Sequence, residues 1–368
     1  MKNRKPPSKN EVIRWLKDDQ LSLPPLSFKL REVKPTYLSG QGWDFEIETR
    51  WDDQIVSFAV GYKPLFTPKA FYAALILCRI GMSKLPKNCY PLVMLPFLSA
   101  SHLEELEASG ISGVDWCGNG VVIVPNKFCV FRSGASNQFA TSSPIKNIYR
   151  KNTSMVARVF LVLPKFNDLN AIEAEVNRRD VLAQFAGKTP VRMGTISKAL
   201  KQLEEDLIIE RGQNTRLLQA DKLLDLLQQN YEPPKSQPIR LKVDCAFDQL
   251  PQLISAKVEM KAGPWVATGL SSVSRYASMQ REEILSLYCP DARRIQSLLN
   301  GRETDRFPNV KLIETTDQPL YFDARPKDGF YWASPVQTWL ELMHGDKRDR
   351  ETADQVRSYI LRHTRESQ

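Results

Sequence analysis

Apolar residues Ile196, Ala199, Leu200 and Leu203 fall at i, i+3, i+4 and i+7, which predicts one buried stripe along a helix. The opposite side carries Arg192, Thr195, Ser197, Lys198, Lys201 and Gln202. Side chains of this kind donate hydrogen bonds to phosphates or base edges. The apolar run Leu207-Ile208-Ile209, the turn Gly212-Gln213-Asn214 and the segment Arg216-Leu217-Leu218 predict a two-stranded hairpin, with Arg211 and Arg216 near its tip. Upstream, Ile172, Val176, Val181, Leu182 and Phe185 predict one helix over Ala171 to Ala186, and Gly187 and Pro190 bracket the turn that follows it. Downstream, Asp221 to Asn230 reads as a short amphipathic helix. The stretch from Met155 to Tyr231 therefore has the element order of a winged helix-turn-helix. A helical core with a solvated basic face is the plainer alternative. The combination of helix, hairpin and positive charge favours the DNA reader.

Toward the N-terminus the pattern changes to strands. Residues 1–10 read as a disordered basic lead, and Glu11 to Lys17 as a short helix stopped by Pro24-Pro25. Trp43 to Trp51 alternates apolar with acidic residues, which predicts a half-exposed strand. Asp52-Asp53 supplies a turn, and Ile55 to Lys63 is the return strand. Pro68 to Arg79 is apolar enough to predict a helix buried on most of its surface. Pro91 to Leu98 is an inner strand. Ser101 is the expected cap of a helix from His102 to Ser109, ended by Gly110. Val114 to Gly120 is turn-rich, and Val121–Val124 with Phe128–Phe131 closes the domain as a hairpin.

Ser133 to Ser143 reads as a flexible linker, and Glu232 to Pro238 as a second one. Beyond it, Ile239 to Val243, Glu283 to Cys289 and Val310 to Glu314 are strands. Phe247 to Leu253 is a helix or turn, and Pro264 to Ala277 a turn leading into a helix. Ser334-Pro335 opens a helix whose stripe is Val336, Trp339, Leu340 and Met343, with Gly345 at its end. Arg348 to Arg362 is a last helix with Ala353, Val356 and Ile360 inward. Aromatic residues Tyr321, Phe322, Phe330, Tyr331, Trp332 and Trp339 are expected in a core.

The fold class is thus α/β (α+β) in three modules: a restriction-endonuclease-like α/β domain at 1–145, a winged helix-turn-helix at 146–232, and a small C-terminal α/β domain at 239–368. In the first, strand, strand, helix, strand, helix, strand is the nuclease-like order. Such a site needs an acid on one strand and an Asp/Glu-x-Lys on the next, to hold a divalent metal and activate water. Asp44 and Lys63 are present, with Glu46 and Glu48 nearby, but Gly61 stands where the second carboxylate belongs. A degenerate, inactive site is expected. A divalent-metal DNA endonuclease, with Asp115 as a displaced acid, is the rival reading.

Charge supports an anionic partner. The 368-residue chain carries a net charge of +9, and 146–216 holds thirteen Lys and Arg against eight Asp and Glu. No apolar run reaches the length of a membrane span, and the basic N-terminus lacks the apolar segment of a signal peptide, so a cytoplasmic protein is expected. The six cysteines form no C-x-x-C pair and read as reduced, buried residues. Three scattered histidines match no metal spacing, and neither metal nor cofactor is expected.

Two late segments, Ser334-Pro-Val-Gln-Thr-Trp-Leu-Glu-Leu and Arg348-x-x-Glu351-x-Ala353, resemble the C-terminal signature of AbiEi-type antitoxins of type IV toxin–antitoxin systems. Thr268-Gly-Leu-Ser-Ser and Asp115-Trp-Cys-Gly-Asn119 resemble the longer relatives that place a nuclease-like domain before the winged helix. The resemblance implies an autoregulatory transcriptional regulator that binds double-stranded promoter DNA. It also implies a C-terminal domain tied to neutralising a nucleotidyltransferase-like toxin. The chain departs from shorter members, in which the winged helix comes first. Such regulators often act as homodimers on two half-sites, although no coiled-coil heptad is visible here. A pure protein-interaction module is a third reading.

Overall fold

In the computed structural model the described residues are 4–33, 43–51, 54–139, 147–186, 189–260, 263–278 and 284–367. The expected turn at Asp52-Asp53, Gly187 of the expected inter-helix turn and part of the first expected linker lie outside them. The chain is mixed α and β and divides into two compact units, residues 1–144 and 145–368.

The first unit is built on a seven-stranded sheet. Its elements are α1 (Lys9–Lys17), β1 (Ser22–Leu23), β2 (Leu26–Ser27), β3 (Lys29–Glu32), β4 (Phe45–Trp51), β5 (Gln54–Tyr62), α2 (Pro68–Gly81), β6 (Cys89–Leu95), α3 (Ala100–Ala108), β7 (Ser112–Asp115), β8 (Gly120–Val124) and β9 (Phe128–Arg132). The strands lie in chain order from β3 to β9. Pairs β5–β6 and β6–β7 are parallel, and the rest antiparallel. Parallel neighbours need crossovers, which α2 and α3 supply. On one face Phe45, Ile47, Phe58, Val60, Leu92 and Met94 pack with Val12 and Leu16 of α1 and with Leu23, Leu26 and Phe28. On the other, Ala59, Val93 and Leu95 pack under Phe71, Ala74 and Cys78 of α2 and Leu103 and Leu106 of α3.

Several expectations are corrected here. Residues 4–10 are ordered: Arg4 pairs with Phe139, and the Tyr62 hydroxyl donates to Pro7 O. Helix α1 starts at Lys9 under a Ser8–Glu11 capping box and ends at Lys17, well before Pro24-Pro25, which lies in the β1–β2 turn. Strand β4 is not half-exposed: Glu46 is buried and accepts from Arg31 Nη1 at 2.6 Å. Helix α2 buries only one side, leaving Tyr72, Ile76 and Ile80 exposed on the other. The cap of α3 is Ser99, whose hydroxyl accepts from the His102 amide, and not Ser101. The start of the first linker is pinned, because the Asn119 side chain bonds both N and O of Ala135. Cysteines Cys78, Cys89 and Cys289 are buried, Cys117 and Cys245 half-buried, and Cys129 exposed.

The second unit contains α4 (Ser154–Val162), β10 (Lys165–Phe166), α5 (Leu169–Arg178), α6 (Val181–Ala186), α7 (Met193–Glu205), β11 (Ile209–Arg211), β12 (Thr215–Leu217), α8 (Ala220–Gln229), β13 (Ile239–Lys242), α9 (Leu250–Lys257), β14 (Val266–Ala267), α10 (Gly269–Ser272), β15 (Leu285–Cys289), α11 (Ala292–Leu299), β16 (Arg302–Glu303), β17 (Val310–Glu314), α12 (Gln318–Tyr321), β18 (Arg325–Lys327), β19 (Phe330–Trp332), α13 (Pro335–Met343) and α14 (Lys347–Glu366). A three-stranded sheet has the order β10-β12-β11, and a five-stranded one the order β14-β15-β17-β13-β16.

Segments 146–232 and 239–368, expected as separate domains, share this unit and one core. Met155, Val159 and Phe160 of α4 and Leu223, Leu224 and Leu227 of α8 lie in the same cluster as Val336, Trp339 and Leu340 of α13 and Val356 and Ile360 of α14. The helix expected over Ala171–Ala186 is two helices. It breaks at Arg179 and Asp180, where the Asp180 carboxylate accepts from the Ala183 amide at 3.0 Å and from Gln318 Nε2. Val181 and Leu182 of α6 then pack against Tyr288, Leu320 and Tyr321. Helix α13 is buried from Pro335 to Leu342 and so has no stripe. Tyr321, Phe322, Phe330 and Trp339 are buried, whereas Tyr331 and Trp332 are half-exposed. Helix α11, begun by an Asp291 cap and ended by Asn300 at φ 52°, was not foreseen from the sequence.

Candidate nucleic-acid interface

Helix α7 forms because its apolar residues keep a helical period, and it buries Ile196, Ala199, Leu200 and Leu203. Those residues meet α4 and α5, which turns the other face outward. On that face Arg192, Ser197, Lys198 and Lys201 are exposed and Thr195 is half-buried. Among the described residues no carboxylate pairs with Arg192, Lys198 or Lys201, so their charge is available to an external anion.

The ends of α7 are held by polar contacts that fix its direction. Asp206 follows its last residue. Its carboxylate accepts from Tyr149 Oη at 2.7 Å and Gln202 Nε2 at 2.9 Å, while Lys222 Nζ donates to the Asp206 carbonyl at 2.8 Å. Burial pushes the Asp206 carboxyl up and the Lys222 ammonium down. Gln202, expected on the outward donor face, is committed to this anchor. At the other end, the Asn177 side chain bonds both N and O of Val191, at 2.8 and 3.1 Å. It thereby closes the excursion between α5 and α7 much as a strand partner would.

The hairpin β11–β12 pairs Glu210 with Arg216 and Arg211 with Thr215 across its ladder. Arg216 Nε bonds Glu210 Oε2 at 2.6 Å, and Arg211 lies 3.9 Å from Glu204 Oε2. Both arginines are exposed, so both pairs are solvent-screened and exchangeable for a phosphate. Sequence reasoning saw the arginines but not their partners.

Behind α7 lies a buried polar chain. Arg158 of α4, 4% exposed, donates from Nη1 to Pro319 O at 2.8 Å and Gln337 Oε1 at 3.0 Å. Burial lowers its pKa to about 10. Gln337 Nε2 donates onward to Glu341 Oε1 at 2.9 Å and to Tyr231 Oη at 3.0 Å. Glu341 also accepts from the Gly269 and Leu270 amides and the Tyr288 hydroxyl. Burial pushes the Glu341 carboxyl above its ordinary value, and these four donors pull it back. The legible clue was a lone arginine in the apolar run Met155-Val-Ala-Arg-Val-Phe-Leu, and Gln337 and Glu341 one helical turn apart within another.

The two residues of the expected degenerate nuclease site are at one end of the large sheet. Asp44 is occupied: Lys9 Nζ bonds Oδ1 at 2.6 Å, and the Tyr62 amide bonds Oδ2 at 2.8 Å. Lys63 follows β5, its amide bonded to Met94 O. A Cβ at Gly61 would lie 3.2 Å from Leu77 Cδ2, so the position lies under α2 and a side chain there would have to displace Leu77. Asp115 is no substitute. Its Oδ1 accepts from the Cys117, Gly118 and Asn119 amides, each at 2.8 Å, and its Oδ2 from the Leu98 amide and Asn119 Nδ2. Among the described residues no group of three His, Cys, Asp or Glu side chains is placed to hold a metal ion. Nor is any described helix long and apolar enough to cross a membrane.

Comparison with family models, curated proteins and solved structures finds nothing that matches this chain.

Proposed function

We propose that the chain is a sequence-specific regulator that binds double-stranded DNA. In this reading α4, β10, α5, α7 and the β11–β12 hairpin act as a winged helix-turn-helix, with α7 in the major groove and Arg211 and Arg216 of the wing on the backbone or in the minor groove. One observation carries the reading: Arg192, Lys198 and Lys201 stand exposed on one helix with no carboxylate partner among the described residues. The sheet order β10-β12-β11 beside those helices is also what a wing requires.

The AbiEi resemblance extends the proposal to an autoregulatory antitoxin, binding as a homodimer and neutralising a nucleotidyltransferase-like toxin. Two of the segments that carry the resemblance meet physically, since Glu341 of α13 accepts from the amides of Gly269 and Leu270. Because α13 is buried on every side, a toxin surface falls on the exposed side of α14. The nuclease-like first unit is proposed to be a scaffold, given the occupied Asp44 and the covered Gly61.

The test is duplex binding by the full chain and by a Lys198→Ala/Lys201→Ala variant across a salt series. Two lost phosphate contacts reduce the log–log salt slope by roughly 2 and weaken binding about tenfold or more at low salt. Equal affinity at every salt concentration overturns the reading.

A further inference from the structure

A cavity of about 300 Å³ opens between the N-terminal end of α4, the C-terminal end of α8 with the segment after it, and α12. Four cations line it: Arg150, Lys151, Arg158 and Lys235. Two carboxylates also line it, but Glu232 is already ion-paired with Arg150, and Asp317 is exposed. The positive charge is therefore in excess.

Arg158 is the decisive residue. Its guanidinium is buried, both acceptors of its Nη1 are neutral, and its Nε has no acceptor among the described residues. Glu341 acts on it as a nearby charge, and its hydrogen bond goes to Gln337 rather than to the guanidinium. A buried guanidinium with an orphan N–H is costly unless something anionic completes its bonds. One more feature converges on the same place. Lys151 is held at φ 49°, a left-handed conformation uncommon outside glycine and associated with ligand-binding turns. Leu227, Tyr231, Pro233 and Leu320 add apolar surface to the lining.

We propose that this cavity binds a small phosphorylated molecule bearing a planar ring, of the mononucleotide class. The phosphate sits against Arg158, Lys151 and Lys235, and the ring lies along Tyr231 and Leu227. The volume is at the lower end of what small-molecule sites occupy, which fits one nucleotide and excludes a dinucleotide. The site is independent of the DNA-reading proposal, and its test uses no DNA.

Calorimetric titration of the full chain with AMP, with GMP and with inorganic phosphate reads the proposal. One saturating site per chain for AMP or GMP is expected, at least tenfold tighter than for inorganic phosphate. A Lys151→Ala/Lys235→Ala variant, altered only at exposed side chains, should fold as the parent does and bind the nucleotide at least tenfold more weakly. Arg158→Met should abolish binding, and the double variant carries the test if that change also prevents folding. No saturation by any of the three probes overturns the proposal, as does nucleotide binding that the double variant leaves unchanged. Inorganic phosphate binding as tightly as AMP and GMP overturns the assignment of the ligand class.

Discussion

The amide of Gly269 donates to Glu341 Oε1 at 2.8 Å, joining the first residue of α10 to the last turn of α13. The approach is so close that a Cβ at 269 would lie 2.7 Å from Thr338 Cα and 2.8 Å from the Glu341 carboxyl group. Backbone cannot yield as a flexible side-chain tip can. The Gly269→Ala variant is therefore expected to lose about 3 kcal/mol of stability, read by urea unfolding, through overpacking and the strained carboxylate contact. A loss under about 0.5 kcal/mol, the ordinary effect of a surface change, would show that the two helices can separate freely.

Gly194 is the opposite case. It lies in the first turn of α7, exposed, with nothing within 4 Å of an added Cβ. Gly194→Ala should raise stability by about 0.5–1 kcal/mol through helix propensity. If the start of α7 approaches a duplex, the same methyl group should weaken DNA binding several-fold. Thermal unfolding and fluorescence anisotropy read the two effects separately, and unchanged affinity would argue against docking by this end.

Glu175 links pH to the placement of α5. It bonds Arg178 and Arg179, and Arg179 in turn pairs with Asp323. The Arg178 hydrogen bond, with Arg179 beside it, holds the Glu175 carboxyl below its ordinary value of 4.5. A depressed folded-state pKa contributes stability that is present above 4.5 and lost as pH falls through the folded value. Glu175→Gln should thus cost about 1 kcal/mol at neutral pH, and the difference from the parent should vanish in strong acid. Urea unfolding at both pH values checks this, and a pH-independent difference would contradict it.

Restoring the missing acid should not restore a nuclease. Gly61→Asp places a carboxylate beneath Leu77 and Cys78, in a buried position. The expected outcome is a loss of about 3 kcal/mol or more, with no plasmid cleavage gained in Mg²⁺ or Mn²⁺. Metal-dependent cleavage by this variant, lost again on Asp44→Ala, would revive the enzyme reading.

Much of the local structure was legible. The stripe Ile196, Ala199, Leu200 and Leu203 is buried as its spacing required, because helical period and burial are the same geometric fact. The Ser334 cap with Pro335 behind it starts α13, because proline needs no amide partner there. One failure was a change of phase that went unread. At about 100° per residue Val181 falls on the face opposite Ile172, so a single straight helix could not bury both. The Asp180 carboxylate fixes the break, accepting from the Ala183 amide locally and from Gln318, distant in sequence.

Sequence alone determined the apolar stripes of α7 and α14 and the Ser334 cap of α13, since those depend on a few neighbouring residues. What covers each face was decided only by the tertiary structure. The proline-rich segment 232–238 looked like a domain boundary, yet Leu224 and Leu227 before it share a core with Trp339 and Val356 after it. Arg158 was not singled out from the sequence, because its acceptors on Pro319 and Gln337 come alongside only in the fold. Burial of a polar group depends on partners that the chain brings from far away, and no local spacing encodes them.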